Sequence, residues 1–139
     1  MTDTVIESPK TVIKPAIDKL LPHIIGGIAV VGIGLLFAPN VIWIGIMVII
    51  IFSMNGSIEV FRSYSNYSEV KLAIARPRWF ILNSSIESAD VNGKVLTIKI
   101  TEEDKTYTRK IPLNTLSDED GQKIISYYKA KAKQNRKSK

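Results

Sequence analysis

Between residues 20 and 58 the chain runs through apolar side chains with no Lys, Arg, Asp or Glu, and His23 is the only titratable group there. Such a stretch is roughly twice the ~20 residues that a helix needs to cross a hydrocarbon core. Its middle is broken by Ala38-Pro39-Asn40. Proline removes a backbone donor and asparagine favours a turn, so the interruption predicts two helices, Leu20–Ala38 and Val41–Ile58, joined as an antiparallel hairpin. The run Val48-Ile49-Ile50-Ile51-Phe52 leaves the second helix without a polar face, which argues against the core helix of a soluble protein. A cleaved leader is disfavoured as well. The apolar block begins late, is too long, and is preceded by as many acids as lysines.

The flanking segments carry weaker patterns. Residues 1–19, with Pro9 and Pro15 and scattered Val and Ile, read as a flexible arm. Residues 59–78 admit two readings. Val60, Tyr64, Tyr67, Lys71 and Ile74 recur at helical steps, as in a stalk continuing the second helix, whereas Val70, Leu72 and Ile74 alternate as in a strand. Pro77 ends either one.

From Trp79 the alternation is clearer. Trp79–Ile86 predicts a strand, and Asn92-Gly93 predicts a two-residue hairpin turn with two positive φ angles. Leu96, Ile98 and Ile100 then alternate with Thr97, Lys99 and Thr101. After the polar loop Glu102–Lys105, Tyr107, Arg109, Ile111 and Leu113 alternate again, and Pro112 places that strand at a sheet edge. Ser117 followed by Asp118-Glu119-Asp120 is a helix start, and Ile124, Ile125 and Tyr128 form its apolar stripe. The predicted architecture is a membrane α-helical hairpin followed by a small α+β domain over 79–134, three to four antiparallel strands packed by one C-terminal helix. A domain that small needs the membrane surface, the stalk or a partner to complete its core.

Charge adds topology. Lys10, Lys14 and Lys19 precede the hairpin and Arg62, Lys71, Arg76 and Arg78 follow it, while the turn has no base. This places both termini in the cytoplasm, in a multi-pass protein of the cell inner (plasma) membrane. Trp43, Tyr64 and Tyr67 are the expected interfacial anchors. In the first helix Gly27, Val31, Gly34 and Ala38 share one face. That small-residue stripe suits either a partner helix or the second helix of the same hairpin. The formal net charge is +6, and residues 129–139 hold six bases (Lys129, Lys131, Lys133, Arg136, Lys137, Lys139) without an acid. The readings are an electrostatic tail for anionic lipid or a partner, or a solubilising end. Nucleic acid is not expected, because no aromatic platform, finger or recognition helix accompanies the tail.

The 139 residues include no cysteine and one histidine, which excludes a disulfide scaffold and a Cys- or His-rich metal site. No nucleophile elbow, phosphate loop or dinucleotide fingerprint occurs, and the acid clusters already have structural roles. No catalytic residue, cofactor, metal or small-molecule substrate is expected. His23 reads as an interfacial residue more readily than as a proton or metal site, and Ser53, Asn55 and Ser57 have no acidic partner with which to form a conduction path. Asn66-Tyr67-Ser68 and Asn83-Ser84-Ser85 match a glycosylation pattern on the side expected to be cytoplasmic.

The run Val95-Leu96-Thr97-Ile98-Lys99-Ile100, the exit Lys110-Ile111-Pro112-Leu113 and the helix lead Leu116-Ser117-Asp118-Glu119-Asp120, all behind a tight helical hairpin, resemble small bacterial two-span membrane proteins that carry a cytoplasmic pleckstrin-homology-like domain. The resemblance covers residues 79–134. Such a domain needs about seven strands, more than the pattern supplies, so no lipid-phosphate pocket is assigned to any residue. The glycine face of the first helix and the undersized cytoplasmic domain lead to the expectation of a non-enzymatic membrane protein, an accessory subunit, scaffold or regulator of a membrane complex. Its partners would be membrane lipid and either a membrane protein or further copies of itself. The alternatives are an anionic-lipid-binding module and a holin-like or immunity protein.

Overall fold

The computed structural model describes residues 7–139. A short strand β1 (Thr11–Ile13) leads into two apolar helices, α1 (Ile17–Leu36) and α2 (Ile42–Gly56), separated by a 3-10 turn at Pro39–Val41. Six further strands follow: β2 (Phe61–Ser63), β3 (Tyr67–Val70), β4 (Trp79–Leu82), β5 (Ile86–Asn92), β6 (Val95–Glu102) and β7 (Lys105–Pro112). The helix α3 (Asp118–Lys137) closes the chain. All pairings are antiparallel, in a four-stranded sheet of order β1-β2-β3-β4 and a three-stranded sheet of order β5-β6-β7.

The helical hairpin, the later strands and the closing helix lie close to where the hydrophobic pattern puts them. The β-domain is larger than expected, because two segments without a clear pattern join it. Part of the expected arm is β1, paired with β2 through Thr11↔Ser63, Val12↔Arg62 and Ile13↔Phe61; residues 1–6 of that arm lie outside the described residues. The expected stalk is strand rather than helix, and it supplies both β2 and β3. The cause is burial. Phe61 and Ser63 in β2, and Ser68 and Val70 in β3, are buried while the residues between them are not, the period of two of a strand.

The hairpin is therefore an insertion in the connection between two neighbouring strands, with the domain assembled on both sides of it. Ile13, Phe61, Val70 and Ile81 of the first sheet meet Leu96, Ile98, Ile100 and Ile111 of the second, and α3 adds Ile124, Ile125, Tyr128 and Ala132 to the same core. The domain completes its core from its own residues. The stripe of α3 runs past Tyr128 through Ala132 to Asn135, whose amide donates to the carbonyls of Asn83 (2.7 Å) and Ile86 (2.8 Å). Residues 129–137 are thus an integral part of the packed helix, not a loose tail.

Local signals explain the ends of elements. The Ser117 hydroxyl accepts from the Asp120 N–H at 3.1 Å, the expected cap. The β5–β6 turn falls one residue later than expected. Asn92 pairs with Val95, leaving Gly93-Lys94 as the loop, and of these only Gly93 has a positive φ (60°). Two positive φ angles occur instead in the β6–β7 turn, at Glu103 (46°) and Asp104 (65°).

Inside the core, the hydroxyls of Ser68 and Tyr128 are hydrogen-bonded at 2.7 Å, joining β3 to α3. Burial pushes the Tyr128 phenol well above its ordinary range, partly opposed by the Ser68 bond. A raised pKa in the folded state stabilises the fold fully below the unfolded value near 10, and that contribution is lost as pH rises above it. Tyr128→Phe is expected to destabilise the full chain by about 1–3 kcal/mol at neutral pH, because it strands the buried Ser68 hydroxyl. The gap to the parent should narrow above pH ~10, where only the parent must keep a buried phenol neutral. Denaturant melts in mild detergent at the two pH values check this; a gap that widens with pH contradicts it.

Candidate membrane and partner surfaces

The helical hairpin is held by close backbone approach. A Cβ at Gly45 would lie 2.6 Å from the Gly27 carbonyl oxygen and 2.7 Å from a Val31 methyl; one at Gly27 would lie 3.0 Å from the Gly45 carbonyl oxygen; and one at Gly34 would lie 2.6 Å from Ile42 Cγ1. Gly27, Val31 and Gly34 therefore face α2, so the small-residue stripe receives the second helix of the same chain. Ala38, its fourth expected member, lies beyond the end of α1 in the turn. Gly45 is the complementary residue that the small-residue spacing in α1 does not reveal. A glycine among the large apolar residues Ile42–Phe52 is the available signal. Gly26 and Gly32 face outward, and a Cβ at either would meet no neighbouring heavy atom within 4 Å.

The outer surface of the hairpin is apolar all round. Ile25, Ile28, Leu35, Leu36, Phe37, Ile44 and Met47 are exposed, and Trp43 is exposed near the tip. α1, and α2 taken together with the 3-10 turn before it (Pro39–Gly56, 18 residues), are long and apolar enough to cross a membrane. At 1.5 Å per residue, the 20 residues of α1 extend about 30 Å. His23 stacks on Phe52 with ring centroids 4.4 Å apart, and among the described residues no group of His, Asp and Glu could hold a metal.

Where the hairpin meets the domain, charged and polar groups fix the junction. Arg62 on β2 is hydrogen-bonded to Glu59 and lies 3.4 Å from Glu69 on β3. Arg78 approaches Glu69 at 3.8 Å and donates to the Glu59 carbonyl at 3.1 Å. The loop between β3 and β4 is tied to α2, because the Asn55 side-chain oxygen accepts from the Ile74 N–H at 3.0 Å. On the other side, the Ala16 N–H donates to the Thr115 carbonyl at 2.9 Å, joining the approach to α1 with the approach to α3.

Tyr64 and Tyr67 are not at this junction. The strand pairing puts Ile13, Phe61, Val70 and Trp79 in the row nearest the hairpin and Tyr67 with Leu82 in the row farthest from it. Tyr64 is buried and stacks on Tyr67, which stacks in turn on Phe80, at centroid separations of 4.4 and 4.3 Å. Their expected role as interfacial anchors requires α2 to continue as a stalk. With β2 and β3 in its place, the aromatic stack belongs to the far end of the first sheet.

That far end is organised by Asn83, whose only sequence signal is a glycosylation match. Its N–H donates to the Asn66 carbonyl (2.9 Å), its amide donates to the Ser65 carbonyl (3.3 Å), its side-chain oxygen accepts from Tyr127 (2.8 Å) and its carbonyl accepts from Asn135. Asn83 is buried, and its side chain is committed to structure. The pairing of Asn83 with Asn135 also fixes the position of the six bases. Helix α3 begins beside Thr115 at the hairpin and ends beside Asn83 at the opposite pole. Its 20 residues carry Lys129–Lys139 roughly 17–30 Å along the helix axis from its start beside the hairpin. Comparison of the chain with protein-family models, curated proteins and solved structures gives no match.

Two glycine substitutions separate the inner and outer faces of α1. Gly34→Leu is expected to destabilise the hairpin by about 1–3 kcal/mol through overpacking against Ile42, and Gly32→Leu by far less. Thermal unfolding of both variants in the same mild detergent checks this. Equal midpoints would mean that the two helices do not pack through Gly34.

Proposed function

We propose that this chain is a non-enzymatic integral membrane protein that mounts a small interaction domain on the cytoplasmic face of the inner (plasma) membrane, as an accessory subunit, scaffold or regulator of a membrane complex. The observation that carries the reading is the insertion of the apolar hairpin between β1 and β2. An anchor on a flexible linker would only localise a domain. An anchor whose two ends are adjacent strands of the domain's own sheet also orients it.

Several features support the membrane part. The exposed apolar surface of α1 and α2 has no cover elsewhere in the described chain, and contiguous apolar surface of that extent requires one. Both ends of the hairpin enter one sheet, so a spanning hairpin leaves the domain and both flanks on one side. Lys14, Lys19, Lys71 and Arg76 lie on that side and the turn carries no base, which favours the cytoplasm. Seven strands in a four-plus-three arrangement with a closing helix match the strand count that a pleckstrin-homology-like domain needs. This strand count supports the proposed resemblance. The ordered domain argues against a holin-like pore. An anionic-lipid module is the weaker alternative, because the six bases of residues 129–139 point away from the anchor.

Single cysteines at Asn40, Asp104 and Ser138, in a chain that otherwise has none, test the topology with an impermeant thiol reagent on intact cells. Labelling is expected at Asn40 alone; labelling of Asp104 and Ser138 but not Asn40 would reverse the orientation. Extraction in mild detergent then tests the role. A stoichiometric protein partner is expected, and a monomer carrying lipid alone would overturn the accessory-subunit reading.

A further inference from the structure

We propose that the pole of the domain farthest from the hairpin is a docking surface for an acidic protein segment bearing an apolar residue. This rests on the membrane-mounted reading above and names the chemistry of the partner. Three neighbouring observations carry it.

The first is unneutralised charge. Among the described residues none of Lys129, Lys131, Lys133, Arg136, Lys137 and Lys139 forms an ion pair. Arg136 and Lys139 border a hollow with Ser84, Ser85 and Glu87, and Glu87 is already engaged by the Thr101 hydroxyl at 2.9 Å and the Lys99 ammonium at 3.1 Å. Lys131 lies over the Tyr127 ring, 5.6 Å from its centroid, and faces the hollow that holds Leu82 and Asn66. All but Lys139 sit on the packed helix α3, so their backbone is already ordered before binding.

The second is an apolar anchor point beside them. Phe80 is 56% exposed and Leu82 is 42% exposed on the outer side of β4, while Ile81 between them is buried. They line, with Tyr107, Ser84 and Ser85, a hollow of about 640 Å³ that adjoins the two basic hollows through Leu82 and Ser84.

The third is position. Screening limits the reach of an exposed charge to about 8 Å at physiological ionic strength. Bases carried roughly 17–30 Å along α3 from its start beside the hairpin are outside the field of the leaflet that holds the anchor. Glu102 and Glu103 line the same hollow, so the carboxylates of the peptide have to lie on its α3 side. A peptide can place an apolar side chain there and its carboxylates against α3.

The full chain in nanodiscs of phosphatidylcholine is titrated with a fluorescein-labelled polyglutamate peptide carrying one central phenylalanine. Two triple variants make the same change in net charge. Lys131→Glu, Arg136→Glu and Lys139→Glu reverse the bases beside the hollows; Lys129→Glu, Lys133→Glu and Lys137→Glu reverse bases that line none of these hollows. Saturable binding is expected, weakened at least about tenfold by the first set and clearly less by the second. Phe80→Ser should weaken the phenylalanine peptide and leave polyglutamate alone unchanged. All six positions and Phe80 are on the surface, and unchanged melting of each variant confirms that the fold is intact. Absence of saturable binding, equal loss in both triple variants, or stronger binding of phosphatidylglycerol vesicles or an RNA oligonucleotide would overturn the proposal. These outcomes are separable from failure of the membrane reading, which is decided by thiol labelling and co-extraction.

Discussion

Three residues of β1 paired with three of β2 determine how this molecule is put together. Residues 14–60 lie between the paired segments, and closing a flexible connection of that length would cost about 3 kcal/mol in its length-dependent part alone. So short a pairing could not offset that cost unaided. The connection is not flexible, however. The backbones of α1 and α2 meet at Gly27 and Gly45, and the compact hairpin delivers its two ends side by side to the sheet. Glycines in the apolar block and strand pairing in the polar domain are thereby thermodynamically coupled: loosening either raises the cost of the other.

The same constraint gives the domain two unlike poles. At one, Glu59, Arg62, Glu69 and Arg78 join α2 to the first sheet, and Asn55 fixes the β3–β4 loop. At the other, Asn83 and Asn135 lock the end of α3 against both sheets. Between them runs a helix whose acidic first turn and basic last turns also suit its dipole. An anchor at one pole and an exposed basic and aromatic surface at the other are what a mounted interaction module requires, and this is the physical content of the proposed function.

The elements legible in the sequence are those with local signals. The charge-free block broken at Pro39, the alternation of Leu96, Ile98 and Ile100, and the Ser117 cap each lie within a few residues. β1, β2 and β3 are three or four residues long, too short for a period to stand out, and each is defined by partners distant in the chain. Tyr64, Tyr67 and Lys71 happen to recur at helical steps, which hides the strands. The α3 stripe reads as ending at Tyr128 because its next inward residues are a small Ala132 and a polar Asn135, and neither marks a core face until the packing is seen. Of the candidate surfaces, the Gly27–Gly34 face is readable from spacing, but its complement Gly45 is not. The charge of residues 129–139 is evident, whereas its distance from the anchor depends on the hydrogen bonds of Asn83.

The most direct test of the account is a disulfide between Thr11→Cys and Ser63→Cys in the full chain within native membranes. Directly opposed residues of an antiparallel pair have Cα atoms about 4.5–5.5 Å apart, within the range a disulfide spans. Mild oxidation should link the peptides that flank the hairpin rapidly and in high yield, while Thr11→Cys combined with Asn92→Cys should not link. Failure of the first pair, or equal linking of both, would mean that β1 is a loose arm and that the hairpin is not built into the sheet.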